Sequence, residues 1–215
     1  MIKAVVFDLD GTLLVHKLRL REAKEKFLEK LEELGLKGSW ISTDMPLAHI
    51  LSGLDEKDRA LAFNILDNVF EQFETKAVEE AELREDVREV LTFLKKLKIK
   101  MAIATNNGRK SVESILRKML LEEFFDVVVT RNDVQDLKPN GKMLLETVKK
   151  LGVNIEEVIH IGDTTYDVLA AHENGIKCIA ITGGAHSREL LLSSNPEFIV
   201  DSFKEIPAII MNLQK

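Results

Sequence analysis

With 215 residues, 45% of them hydrophobic and 31% charged, the chain can bury a substantial core in one or two globular domains, which excludes a disordered or fibrous protein. A formal net charge of -6 argues against nucleic-acid partners, whose binding needs Lys and Arg on the phosphates, but leaves room for a small phosphorylated substrate held by a few local cations. The N-terminal apolar stretch is broken by Asp8, too soon for a signal peptide or a membrane span, and the one cysteine, Cys178, excludes internal disulfides, so a cytoplasmic protein with no membrane partner is expected.

The run Ala4-Val5-Val6 is too uniformly apolar for a strand with one wet face and predicts a strand at the centre of a parallel sheet. It leads into Phe7-Asp8-Leu9-Asp10-Gly11-Thr12-Leu13. Asp8 and Asp10, two apart on an extended chain, point the same way, and Gly11 permits a sharp turn just beyond them. From about His16 to Leu34 apolar residues recur at helical spacing, with Gly35 as a cap. Pro46 opens a short helix through Leu51, and Asp55 is an N-cap candidate for a longer helix carrying Ala60, Phe63, Leu66, Val69, Phe70 and Phe73. Residues 16–80 are therefore expected to form a separate helical lid between the first strand and the next.

Beyond it helix and strand alternate, the signature of a doubly wound α/β domain. A helix over 86–98 precedes the strand 100–104, which ends in Thr105-Asn106-Asn107-Gly108. A helix over 111–120, a strand over 126–130 and the Lys138-Pro139 dipeptide opening a helix to Gly152 follow. The strand 158–161 ends in Gly162-Asp163-Thr164-Thr165-Tyr166-Asp167, and a further strand spans 177–181. Parallel strands bring Asp8, Asp10, Thr105, Asn106, Asp163 and Asp167 to one edge, where such sheets bind ligands, and Lys138 can join them from a loop.

Four carboxylates in one pocket need a positive charge among them, since two unit charges about 4 Å apart interact by roughly 4 kcal/mol at an effective dielectric of 20. Oxygen-only ligands favour magnesium, which also contacts substrate phosphate. An ionised carboxylate attacks phosphorus without a base to activate it, and a second carboxyl can carry the leaving group's proton. Lys138 supplies a point charge to phosphoryl oxygens, and Thr105 and Asn106 supply donors. Helix capping is the competing account of Asp163 and Asp167, although it leaves the spacing of Asp167 without a reason.

In order along the chain, Asp8-Leu9-Asp10-Gly11-Thr12, Thr105, Lys138-Pro139 and Gly162-Asp163-Thr164-Thr165-Tyr166-Asp167 resemble the four motifs of the haloacid dehalogenase superfamily, in its phosphatase branch. The helical segment is similar to the cap of phosphoglycolate-phosphatase-like and β-phosphoglucomutase-like members. The resemblance implies a Rossmann-like parallel-sheet core (residues 1–15 and 81–215) with an all-helical cap (16–80). It also implies Asp8 as nucleophile, Asp10 as acid/base, and magnesium held by the Asp8 carboxylate, the Asp10 carbonyl and Asp163 with Asp167 in support. Val15-His16-Lys17 departs from an acidic residue common in the family, and Gly141 stands where a second proline is common. The function expected is hydrolysis of a small phosphomonoester, phosphoglycolate or a sugar phosphate. A sugar-phosphate mutase and a non-catalytic binding module on the same fold are the alternatives, and the oligomeric state is left open.

Overall fold

The computed structural model describes residues 1–15 and 18–214. The first strand, β1 (Ala4–Phe7), is buried along its whole length, as its unbroken apolar run requires. Three helices follow: α1 (Leu20–Glu33), α2 (Leu47–Ser52) and α3 (Glu56–Glu80). The chain then alternates through α4 (Val87–Lys96), β2 (Lys100–Thr105), α5 (Arg109–Lys118), β3 (Val127–Thr130), α6 (Lys142–Leu151), β4 (Val158–Gly162), α7 (Thr165–Glu173) and β5 (Lys177–Ile181). It closes with α8 (Arg188–Ser193), β6 (Phe198–Val200) and α9 (Ile206–Asn212).

Among the described residues the six strands form one parallel sheet in the order β3-β2-β1-β4-β5-β6, so the chain winds outward in both directions from β1. Alternate residues of each strand point to opposite faces. Val5, Phe7, Met101, Ile103, Ile159 and Ile161 pack against α4, α5 and α9, while Ala4, Val6, Ala102, Ala104 and Ala180 meet α6 and α7. The first face is thus filled by large side chains and the second by small ones. Phe7 is in register with Ile103 of β2 and Ile161 of β4, so the residues just past these three strands emerge side by side.

The helical segment builds an apolar core of its own from Phe27 and Leu31 of α1, Ile50 of α2, and Phe63, Leu66 and Phe70 of α3. Leu137, from the loop after β3, joins that core and so ties the segment to the sheet edge. Asp55 caps α3 as its sequence suggests, its carboxylate accepting the Asp58 N–H at 2.9 Å. Several details differ from expectation. The first helix begins at Leu20, not near residue 16, and His16 and Lys17 lie outside the described residues. Ala60 is exposed, and Ala62 takes the buried position instead. The helix after Lys138-Pro139 starts only at Lys142, while α8, β6 and α9 carried too few residues to declare a period.

Candidate active site

All four sequence motifs meet at the carboxyl edge of β1, β2 and β4. Asp8 follows β1 directly, its N–H held by the Ile161 carbonyl of β4 at 2.9 Å. Gly11, with a φ of 81°, reverses the chain beyond it, and a Cβ there would lie 2.2 Å from an Asp163 oxygen, so only glycine lets this loop lie against that carboxylate. Thr12 uses the turn to donate its hydroxyl to Asp163 Oδ1 at 2.8 Å, and the Ala185 N–H holds Oδ2 at 2.7 Å.

Lys138 is buried, and its ammonium bridges the acids: it donates to Asp8 Oδ1 at 2.5 Å, to Asp167 Oδ1 at 2.6 Å and to the Ala104 carbonyl at 2.9 Å. Burial alone would lower its pKa, but the fields of Asp167 and Asp8 overcome this and hold it above the usual lysine range. Burial likewise works against ionised Asp167, yet Lys138 and His160 together hold that carboxyl well below the ordinary carboxylate range. Asp8 is pushed the other way, up, by burial and by the negative charge of Asp167 and Asp163, against the pull of Lys138. Asp163 rises to about 6, from burial first and Asp167 second.

Asp8, Asp163 and Asp167 offer carboxylate oxygens that all lie within 4.8 Å of one another. One ammonium among three acids leaves negative charge uncompensated, which adds to burial in raising Asp8 and Asp163; a hard cation fits such an all-oxygen set. A carboxylate has about four acceptor positions. Those of Asp167 are taken by Lys138, the His160 imidazole at 3.1 Å, and the Thr164 N–H and hydroxyl at 3.1 and 2.6 Å. Asp8 and Asp163 retain capacity, so they suit direct ligation and Asp167 suits support.

The capping account of Asp167 also proves part of the truth. Thr164 is the N-cap of α7 and Asp167 closes a capping box with it, which explains the spacing; the second carboxylate oxygen is what remains for Lys138. Asp10 lines the same pocket as Asp8 and Asp167, its Oδ2 accepting from the Asn107 amide at 2.7 Å. Thr105 is buried at the pocket wall, where its hydroxyl oxygen accepts the Asn107 N–H at 3.3 Å. The side chain of Asn106 brackets residue 138: its oxygen accepts the Lys138 N–H at 2.9 Å and its amide donates to the Lys138 carbonyl at 3.3 Å.

The same cavity, of about 180 Å³, is closed on the far side by Lys24 of α1, Pro46 and Leu47 at the start of α2, and Leu66 and Phe70 of α3. Sequence reasoning missed Thr12, Ala185 and Arg84, whose guanidinium joins the carbonyls of Gly11 and Thr182 at 2.6 and 2.5 Å. Backbone donors and carbonyl clamps leave no residue-type signal. His160 is a satisfied residue of the β4 core, one ring nitrogen meeting the Val6 carbonyl at 3.0 Å and the other Asp167 at 3.1 Å.

A family model described as haloacid dehalogenase-like hydrolase matches residues 5–181, and the chain belongs to this family of enzymes. Over 97% of its length it is 28% identical to a phosphoglycolate phosphatase of Photorhabdus laumondii, covering 92% of that protein. It is 28% identical to pyrophosphatase PpaX of Bacillus mycoides over 99% of this chain and 98% of that one. A haloacid dehalogenase-like family hydrolase from Streptococcus pneumoniae has the same fold, with a TM-score of 0.67 at 24% identity over 97% of this chain and 98% of that one. No helix among the described residues is long and apolar enough to cross a membrane.

Proposed function

We propose that the chain is a magnesium-dependent phosphatase that hydrolyses a small phosphomonoester through an aspartyl-phosphate on Asp8. The observation that carries this reading is a buried carboxylate at a strand end, with a lysine at 2.5 Å, two further acids within 4.8 Å and a fourth acid lining the same small cavity. Asp8 and Asp163 would hold the ion, with the Asp10 carbonyl as the resemblance implies, and a bound divalent ion supplies Lewis-acid polarisation of the phosphoryl oxygens.

Lys138 fixes the Asp8 carboxylate toward the cavity, and one Asp8 oxygen attacks phosphorus in line with the ester oxygen. The bond to that oxygen breaks, its electron pair leaves with the alcohol, and Asp10 delivers the proton. Asp10, oriented by the Asn107 amide, then takes a proton from water as the water oxygen attacks the phosphorus. The bond to Asp8 breaks, returning its carboxylate and inorganic phosphate. In this reading Thr105 and Lys138 hold phosphoryl oxygens during both steps, Lys138 exchanging one of its three present acceptors for the substrate. In this reading residues 16–80 act as a cap domain over a catalytic core of residues 1–15 and 81–215, and their side chains exclude water from the leaving group. The names of the two relatives, a phosphoglycolate phosphatase and a pyrophosphatase, support a small phosphorylated substrate; phosphoglycolate is the first to try, followed by the sugar phosphates that the motif resemblance suggests. A buried Cys178 suits the reducing cytoplasm.

The test is phosphate release from a panel of phosphomonoesters with magnesium and with chelator. We expect release that needs the metal and that falls by about a thousandfold or more in Asp8→Asn, a nearly isosteric change that removes the nucleophile. Undiminished turnover in that variant, or release unaffected by chelator, overturns the reading.

A further inference from the structure

Arg131, the first residue past β3, is 0% exposed, and every one of its five N–H donors is used. Its Nε donates to Asp67 Oδ1 at 2.7 Å, and Nη2 to Glu74 Oε2 at 3.2 Å and to the Asp67 carbonyl at 3.5 Å. Its Nη1 donates to Glu74 Oε1 and, at 3.1 Å, to the Asn106 carbonyl. Asp67 and Glu74 both belong to α3 of the helical segment, whereas Asn106 belongs to the loop after β2. Glu74, itself buried, also accepts the Gly108 N–H at 3.2 Å and the Ser111 hydroxyl at 3.1 Å. A Cβ at Gly108 would lie 2.6 Å from Arg131 Nη2, so the loop approaches this guanidinium as closely as only glycine allows.

One of these bonds is not needed to fasten α3 to the sheet. The bond to the Asn106 carbonyl fixes the residue whose side chain grips both the N–H and the C=O of residue 138. Lys138 in turn holds Asp8. We propose that Arg131, clamped by Asp67 and Glu74, is a positioning residue that sets the place of Lys138 through Asn106, so that the seating of α3 controls the rate of the chemical step. The proposal rests on the phosphatase reading and deepens it. The links run from the buried Arg131–Glu74 pair through part-buried bonds at Asn106 to Lys138, so a displacement of α3 is passed along bonded groups to the lysine. A shift of about 1 Å at a positioned group is enough to cost on the order of a hundredfold in rate.

The test is a double-mutant cycle on turnover of para-nitrophenyl phosphate at saturating magnesium, with thermal melting of each protein alongside. Glu74→Gln should lower kcat by about tenfold or more while KM stays within about twofold, because the groups that touch substrate are unchanged. Asn106→Ala should lower kcat as well, and the double variant should be no worse than the more damaged single one, since both break the same chain. Asp67 is partly exposed, so Asp67→Asn keeps a folded protein should Glu74→Gln not fold. It should reduce kcat by about threefold, and have no effect once Asn106 is Ala.

Losses that multiply in the double variants, or a change confined to KM, overturn the proposal and leave Arg131 as a fastener of α3. Metal-dependent phosphate release by the wild type in that same experiment leaves the phosphatase reading standing, whereas an inert wild type removes both.

Discussion

Asp163 carries the sharpest residue-level consequence of this site. Its folded pKa of about 6, set by burial and then by Asp167, lies above the ordinary aspartate value of about 3.9. Between those two values the folded chain binds more protons than the unfolded one, so metal-free protein loses stability as pH rises through that window. Asp8, raised chiefly by burial, acts in the same direction. Asp167 has the opposite sign, because its contribution is present above the ordinary carboxylate pKa and is lost only as the solution becomes more acid. Urea unfolding in chelator should therefore find wild type losing roughly 2 kcal/mol relative to Asp163→Asn between about pH 4 and pH 7. Magnesium should restore that loss at neutral pH. A difference between the two proteins that stays flat across this range contradicts the assignment of excess negative charge to this cluster. The acids themselves were legible as residue types in order, but Thr12 and the Ala185 N–H were not, since a hydroxyl and a backbone donor are everywhere in a sequence.

The elements place these groups by rules that can be read locally. The uniformly apolar run of β1 was recognisable as a central strand, and the polar ends of β1, β2 and β4 as a single edge. The turn into α7 shows how one residue can serve two ends. Thr164 caps the helix and at the same time occupies one oxygen of Asp167, leaving the other for Lys138. Thr164→Ala should cost about 1 kcal/mol of stability from the lost cap. It should also lower kcat, because Asp167 loses a ligand that fixes its carboxylate. A melting point and a turnover number equal to wild type would show that the cap holds nothing in place. Pattern alone foresaw Asp167 but assigned its spacing wholly to the site, because a capping box and a functional carboxylate look identical at that position. Short elements such as α8 and β6 escaped because six residues or three cannot display a period.

At the scale of the whole molecule, the sheet edge and the helical segment line one cavity. The sheet supplies the acids and the lysine, and the helical segment supplies the opposite wall. The switch from helical spacing to alternating elements pointed to a run of helices followed by the alternating helices and strands of the sheet. The strand order could not be read, and neither could the Arg131 clamp on α3, which joins residues 57 to 64 positions apart that share no motif. The account stands on Asp8 taking the phosphoryl group itself, and the direct measurement is mass analysis of peptides from enzyme quenched in acid during turnover. The peptide containing Asp8 should carry one phosphoryl group, labile to hydroxylamine and missing from Asp8→Asn. Steady phosphate release with that peptide unmodified at every quench time, or with the phosphoryl group on another residue, would contradict it.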